Sequence, residues 1–231
     1  MKKQIKALIP ARGGSKGIPN KNMSILNGRP LLYYTIKEAL KIFDAKDIFL
    51  SSDSDKILDY GNKFNINLLK RPSEISGDNA TSSEVIEHFI QNIELVDKEN
   101  FTIIYLQPTS PLRNANDIDE SIKLYNKNEC GSLISVKKLQ DFPEKAYKLD
   151  ENNRLTKKLD SMNSSELRQD LPNSYYPNGA IYIFEKTLFL KEGLIPQSNI
   201  LPYIMNELNS IDIDTKSDLR IAEIILRDSI K

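Results

Sequence analysis

The sequence is poor in several residues on which whole classes of chemistry depend. Of its 231 residues one is cysteine, one is histidine and none is tryptophan. The lone cysteine, Cys130, excludes an intramolecular disulfide and a cysteine-based zinc site. The lone histidine, His88, leaves no Ser-His-Asp triad unless it serves one itself. Lying among Glu84, Glu87 and Gln91 in a helical pattern, it reads as a surface residue. Net charge is absent too: Lys+Arg and Asp+Glu are both 32. A chain without basic excess lacks the footprint of general nucleic-acid binding. No apolar run approaches the roughly 18 residues of a membrane span. The Met1-Lys2-Lys3 opening meets polar Gln4 and Lys6 and only a four-residue apolar stretch before Arg12. Neither a signal peptide nor a membrane segment is expected, and a reducing cytoplasm is the expected compartment.

What is present is concentrated between Lys6 and Asn22. Ile5 to Ile9 is a short apolar run that reads as a buried strand, which Pro10, lacking an N–H, is expected to end. A loop follows with three glycines (Gly13, Gly14, Gly17) and three cations (Arg12, Lys16, Lys21). Glycines let backbone N–H groups converge on an anion, and the cations supply charge that phosphates neutralise. The spacing is neither that of a Walker loop nor G-x-G-x-x-G, because Ile18 stands where the Walker pattern needs glycine and again where Gly17 should be followed by lysine. A flexible turn with solvated lysines is the plainer alternative. Position argues for the cradle, since open α/β sheets bind ligands just after a strand of this kind.

The rest of the chain alternates strand and helix. Pro30 opens a helical series Leu32, Ile36, Leu40 and Phe43; Ile48–Leu50 reads as a strand, and Asp53 or Ser54 can cap the helix carrying Ile57, Leu58 and Phe64. A third strand is expected at 67–70. Thr81 and Glu84 stand in capping-box register before a helix with Val85, Ile86, Phe89, Ile90 and Ile93 inward. Phe101–Leu106 is a strong strand closed by Gln107-Pro108-Thr109-Ser110-Pro111-Leu112-Arg113, whose prolines hold polar groups on a stiff loop. A helix at 117–127 and strands at 132–136 and 178–184 follow. Between Lys137 and Tyr175 the composition turns polar, with apolar residues (Leu139, Phe142, Tyr147, Leu149, Leu155, Leu159, Met162, Leu167) too dispersed to enclose a core. Near the end, Asp212-Ile213-Asp214 reads as a strand end entering a helix at 216–229. Residues two apart on a strand share a face, so both carboxylates could hold one Mg²⁺ (or Mn²⁺) whose shell phosphate oxygens complete. A solvated strand end, with Asp214 capping the helix, is the alternative. Strands alternating with helices make the fold α/β, a mostly parallel sheet.

The run Ile9-Pro10-Ala11-Arg12-Gly13-Gly14-Ser15-Lys16-Gly17-Ile18 with Lys21-Asn22 resembles the opening motif of the acylneuraminate cytidylyltransferases. Later stretches resemble that family's further motifs in order: Arg71-Pro72 with Ser76, Asp78, Ala80 and Ser82; Leu106 to Arg113; Arg168-Gln169-Asp170-Leu171-Pro172; Asn178-Gly179-Ala180-Ile181-Tyr182; and Ile211 to Asp214. The resemblance spans nearly the whole chain. It implies a three-layer, Rossmann-like nucleotidyltransferase fold over residues 1–231, with a protruding dimerisation arm at about 138–175, and a homodimer that exchanges this arm. It implies transfer of CMP from CTP to a nine-carbon 2-keto sugar acid. By the same carry-over Arg12, Lys16 and Lys21 hold the triphosphate, Ala11 and Gly13 also bind CTP, and Asn22, Arg71, Ala80 and Ser82 surround the cytidine. Gln107, Asn178 and Tyr182 face the sugar, Arg168 its carboxylate, and Asp212 and Asp214 the metal. Arg12, Lys21, Asp212 and Asp214 would carry the catalysis, with Asp214 helping to deprotonate the anomeric hydroxyl. For Arg71 a loop anchor and for Tyr182 a core aromatic remain open readings, and Arg113 is left outside the site. Synthesis of a CMP-legionaminate, CMP-pseudaminate or CMP-octulosonate is the near rival. A glycosyltransferase reading Asp212-Ile213-Asp214 as its D-x-D, or a non-catalytic nucleotide sensor, are the rivals from other classes.

Overall fold

The computed structural model describes residues 4–94, 99–140, 143–157 and 172–228. In chain order the elements are β1 (Ile5–Pro10), β2 (Ile25–Leu26), β3 (Arg29–Pro30), α1 (Leu31–Ala39), β4 (Ile48–Ser52), α2 (Asp55–Asn62), β5 (Asn67–Lys70), α3 (Ser82–Glu94) and β6 (Thr102–Tyr105). They continue with α4 (Ala115–Lys127), β7 (Ser132–Lys138), β8 (Tyr147–Leu149), β9 (Leu155–Lys157), β10 (Tyr175–Glu185), α5 (Lys186–Glu192), β11 (Ile200–Ile204) and α6 (Lys216–Asp228).

Among the described residues seven strands form the main sheet in the order β11-β7-β10-β6-β1-β4-β5. All neighbours are parallel except β10, which runs antiparallel to both β6 and β7. Successive strand residues point to opposite faces, and the core divides accordingly. Ala7, Ile9, Ile48, Leu50, Ile104 and Leu106 meet α1, α2 and α4 through Leu32, Ile36, Ile57 and Ile118. On the other face Leu8, Ile103 and Tyr105 meet α3 and α5 through Ile86, Phe89, Ile90 and Phe189. Helices on both faces make three layers, as expected for strands hydrophobic on both sides.

A third cluster seats the glycine loop: Ile18, Leu26, Leu31, Leu112 and Ile213 pack with Ala222 of α6. The hairpin β2–β3 that contributes Leu26 turns on Asn27 and Gly28, both at positive φ (45° and 78°), as a two-residue hairpin turn requires.

Pro10 does end the first strand, as its last residue, although the next N–H, of Ala11, still donates to the Ser51 carbonyl. The structure corrects several other local expectations. Pro30 precedes α1 instead of opening it, and Phe43 lies beyond its end. Neither Asp53 nor Ser54 caps α2 with its side chain: Ser54 sits at the cap without such a bond, and Asp53 turns elsewhere. Asp212 to Asp214 belong to no strand. The last strand is instead β11, which Pro202 argues against in the sequence and which an edge position tolerates. The polar stretch after Lys137 contains the hairpin β8–β9, with Tyr147, Leu149 and Leu155 exposed. Phe142, Leu159, Met162, Leu167 and Arg168 lie outside the described residues.

Candidate active site

Order along the sheet fixes where a site can form. From β1 the chain moves outward through β4 and β5, then returns to place β6 on β1's other side, so the topology reverses between β1 and β6. The gap beyond the carboxyl ends of these two strands is where such sheets take ligands. There lies a cavity of about 280 Å³, lined by Pro10, Arg12, Gly14, Ser15, Lys21, Asn22, Arg71, Ala80, Thr81, Ser82, Val85, Tyr105, Gln107, Pro108, Thr109, Asp212 and Asp214.

Each wall has a local cause. The glycine loop is held from behind, where the Gly13 N–H donates to Asp53 Oδ1 (2.8 Å) and Asn22 Nδ2 to the Arg12 carbonyl (2.9 Å). Arg71, buried after β5, donates to Ser51 Oγ (3.2 Å) and the Ser51 carbonyl (3.0 Å), and burial lowers its pKa. Thr81 caps α3 through the expected box with Glu84, which brings Ser82 to the cavity near the Tyr105 hydroxyl (3.4 Å). Tyr105 is buried, and desolvation raises its pKa.

The carboxylate wall arises from one buried side chain. Ile213 is fully buried in the third cluster, and its N–H donates to the Thr109 carbonyl (2.8 Å), so its neighbours Asp212 and Asp214 turn outward onto the cavity. Thr215 caps α6 with Asp218, which frees the Asp214 carboxylate from the helix-capping role open to it in the sequence. Lys21 Nζ donates to the Ile213 carbonyl (2.7 Å) and to Asp214 Oδ1 (3.0 Å), tying loop to carboxylates. A Cβ on Gly17 would run into the Asp214 carbonyl oxygen, so this close approach requires glycine. Burial raises the Asp212 pKa; a hydrogen bond from Thr109 draws it down, and nearby Asp214 pushes it up. Asp212 Oδ1 is buried without a hydrogen-bond partner. An acceptor in that condition is suited to a cation. Among the described residues no group of three or more His, Cys, Asp or Glu could hold a metal alone, so a cation here would draw on ligand oxygens as well as Asp212 and Asp214.

Several candidate residues stand elsewhere. Ala11 is buried, and Gly13 and Lys16 do not line the cavity; Lys16 Nζ lies 3.8 Å from Asp78. Asn178 is turned inward: its Oδ1 accepts from Ser135 Oγ (2.6 Å) and its Nδ2 donates to Ser210 Oγ (2.9 Å). The irregularity in β10 between Pro177 and Tyr182 produces this turn, and Gly179, at φ +75°, faces Gln107 and Asp212 in its place. Tyr182 does not line the cavity but packs edge-on against Tyr105, its pKa pushed up to about 12, chiefly by burial. His88 is half-buried, not a surface residue, and lies outside the cavity. Arg113 is buried beneath the Gln107 loop and donates to the carbonyls of Gln107 (3.2 Å) and Ala180 (2.7 Å) and to Thr35 Oγ1 (2.7 Å). Nothing local in the sequence marks Asp53, Tyr105 or Thr109 for the site, because their partners, Gly13, Ser82 and Ile213, lie far along the chain.

The family model described as cytidylyltransferase matches residues 6–206. The chain belongs to the cytidylyltransferase family. An N-acylneuraminate cytidylyltransferase from Streptococcus agalactiae is 34% identical over 220 residues, covering 91% of this chain and 50% of that protein. A pseudaminic acid cytidylyltransferase from Campylobacter jejuni is 30% identical over 223 residues, covering 95% of each. This chain thus spans about half the length of the streptococcal cytidylyltransferase and nearly all of the Campylobacter one. Among solved structures, a CMP:2-keto-3-deoxy-manno-octonic acid synthetase complexed with CTP shares the cytidylyltransferase fold at TM-score 0.70 and 12% identity, over 98% of this chain and 99% of that one. Among the described residues, no helix is long and apolar enough to cross a membrane.

Proposed function

We propose that this chain transfers CMP from CTP to the anomeric oxygen of N-acetylneuraminic acid or a closely similar nonulosonic acid, releasing pyrophosphate. The observation that carries the reading is the meeting, across one cavity at the topological switch point, of Arg12 and Lys21 with Asp212 and Asp214. In nucleotidyl transfer an oxygen attacks the α-phosphorus and pyrophosphate leaves, and catalysis consists largely of positioning and of stabilising the charge that builds on the phosphoryl groups. Arg12 and Lys21 meet the triphosphate, with the Gly14 and Ser15 backbone beside them. Asn22, Arg71, Ala80 and Ser82 bound the cytidine side, and Gln107, with Arg168 from outside the described residues, serves the sugar acid. Asn178 acts by shaping the β10 turn. A Mg²⁺ ion held by Asp212 and Asp214 would offset the charge developing on the phosphates. Relatives named for N-acylneuraminate and for pseudaminic acid both support a nine-carbon acid.

Pyrophosphate is expected only when CTP, a divalent cation and a nonulosonic acid are all present. A release assay across N-acetylneuraminic, legionaminic, pseudaminic and octulosonic acids checks this. Equal turnover with ATP or GTP would contradict the cytidine assignment, and consumption of a nucleotide sugar without CTP would favour a glycosyltransferase.

The reading includes a cytoplasmic homodimer built on an exchanged arm, with residues 1–231 acting as one cytidylyltransferase unit. Its support is the apolar surface that Tyr147, Leu149 and Leu155 of the β8–β9 hairpin and Tyr175 and Tyr176 of β10 leave exposed. A symmetric pair would cover both copies with one self-complementary surface. Leu149→Asp with Leu155→Asp is expected to convert a dimer to a monomer by light scattering; a wild-type protein already monomeric at assay concentration would refute the dimer.

A further inference from the structure

Arg12, which lines the cavity, and Lys16, on the same glycine loop but outside the cavity lining, are both paired with one carboxylate of this chain. Arg12 Nη1 donates to the Gly77 carbonyl (2.9 Å) and lies 3.0 Å from Asp78 Oδ1, while Lys16 Nζ lies 3.8 Å from Asp78 Oδ2. Each carboxylate oxygen therefore faces a different cation of the glycine loop. Asp78 sits on the loop joining Arg71 to Ala80 and Ser82, the far wall of the cavity, so the ion pairs bridge the two walls. The bridge is partly in water, with the Asp78 side chain 47% exposed and that of Lys16 70%. Phosphate oxygens that engage Arg12 compete with this carboxylate for the same guanidinium donors, because both anions take the planar fork.

We propose that Asp78 is an internal counter-ion, paired with Arg12 and Lys16, that competes with polyphosphate for the Arg12 guanidinium, weakening the binding of both CTP and pyrophosphate and so easing product release. The proposal rests on the cytidylyltransferase reading of the site. Exposed ion pairs of this sort shift an equilibrium by at most about fivefold, so the brake is mild and reversible.

The test is titration calorimetry of the wild type, Asp78→Asn and Asp78→Ala with pyrophosphate, CTP and cytidine, with and without Mg²⁺. Both variants are expected to bind pyrophosphate and CTP about two- to fivefold more tightly, with the gain shrinking as salt rises, and to bind cytidine unchanged. Equal or weaker pyrophosphate binding by the variants would overturn the proposal, as would an equal gain for cytidine, which carries no phosphate. Wild-type protein that binds neither CTP nor pyrophosphate would instead overturn the cytidylyltransferase reading, and this inference with it.

Discussion

Asp212→Asn is expected to lower kcat/KM by about 10² or more while leaving the circular dichroism spectrum unchanged. The substitution preserves shape and removes charge at a side chain turned outward by buried Ile213, one of whose oxygens is buried without a partner. An amide competes poorly with water for Mg²⁺, so the loss should not be recovered by added metal. Stability should move the other way. Burial raises this carboxyl's pKa in the folded state above its unfolded value. Its ionised form therefore costs stability, a cost that appears as pH rises past the unfolded pKa and is fully present above the folded one. The neutral variant should melt at an equal or higher temperature near pH 7, a trade of stability for activity common at functional sites. Asp214→Asn should lose activity comparably, without the gain in stability, because Asp214 is exposed and already paired with Lys21. Near-normal turnover in both folded variants would remove the carboxylates from the mechanism.

Lys21→Met should cost about 10² to 10³ in kcat/KM, because it removes two functions at once. The Lys21 ammonium is the bond between the glycine loop and the carboxylate segment, reaching both the Ile213 carbonyl and Asp214 Oδ1. It is also a cation lining the cavity, where the proposed reaction places the triphosphate. Methionine keeps the apolar stem and its packing, so a folded but inactive protein is the expected outcome by thermal melting and steady-state rates. A loss below about tenfold would show that Arg12 alone suffices for the phosphates. Ser15→Ala should be milder if the backbone, and not the hydroxyl, meets phosphate.

How much of this was legible depended on how far each residue reaches. Period and punctuation were enough for β4, β5, β7 and α3, where apolar spacing and the Thr81–Glu84 box are local. The hairpin at Asn27-Gly28 carried its signal in two residues but too little strand on either side to be read. β11 was hidden by Pro202, which a central strand would reject and an edge strand accepts. The site divided in the same way. The outward turn of Asp212 and Asp214 follows from alternation around Ile213 even without a sheet, whereas Asn178 faces inward because β10 is irregular there, and alternation cannot foresee such a kink. Asp53 was legible only as a helix cap, since the Gly13 amide it accepts from lies 40 residues away.

The bond from Lys21 to the Ile213 carbonyl spans 192 residues. Closing so long a loop adds only about 0.6 kcal/mol for each doubling of its length, a small thermodynamic charge, but contacts of this separation are slow to form. Between the two ends lie β4, β5, β6, β7, β10 and β11, and Ile213 reaches its seat only when α6 docks on Ile18 and Leu26. During refolding, then, nucleotide affinity should return after most of the helical signal has. A molecule with a partly built sheet is therefore expected to look folded to a spectrometer and still bind no nucleotide.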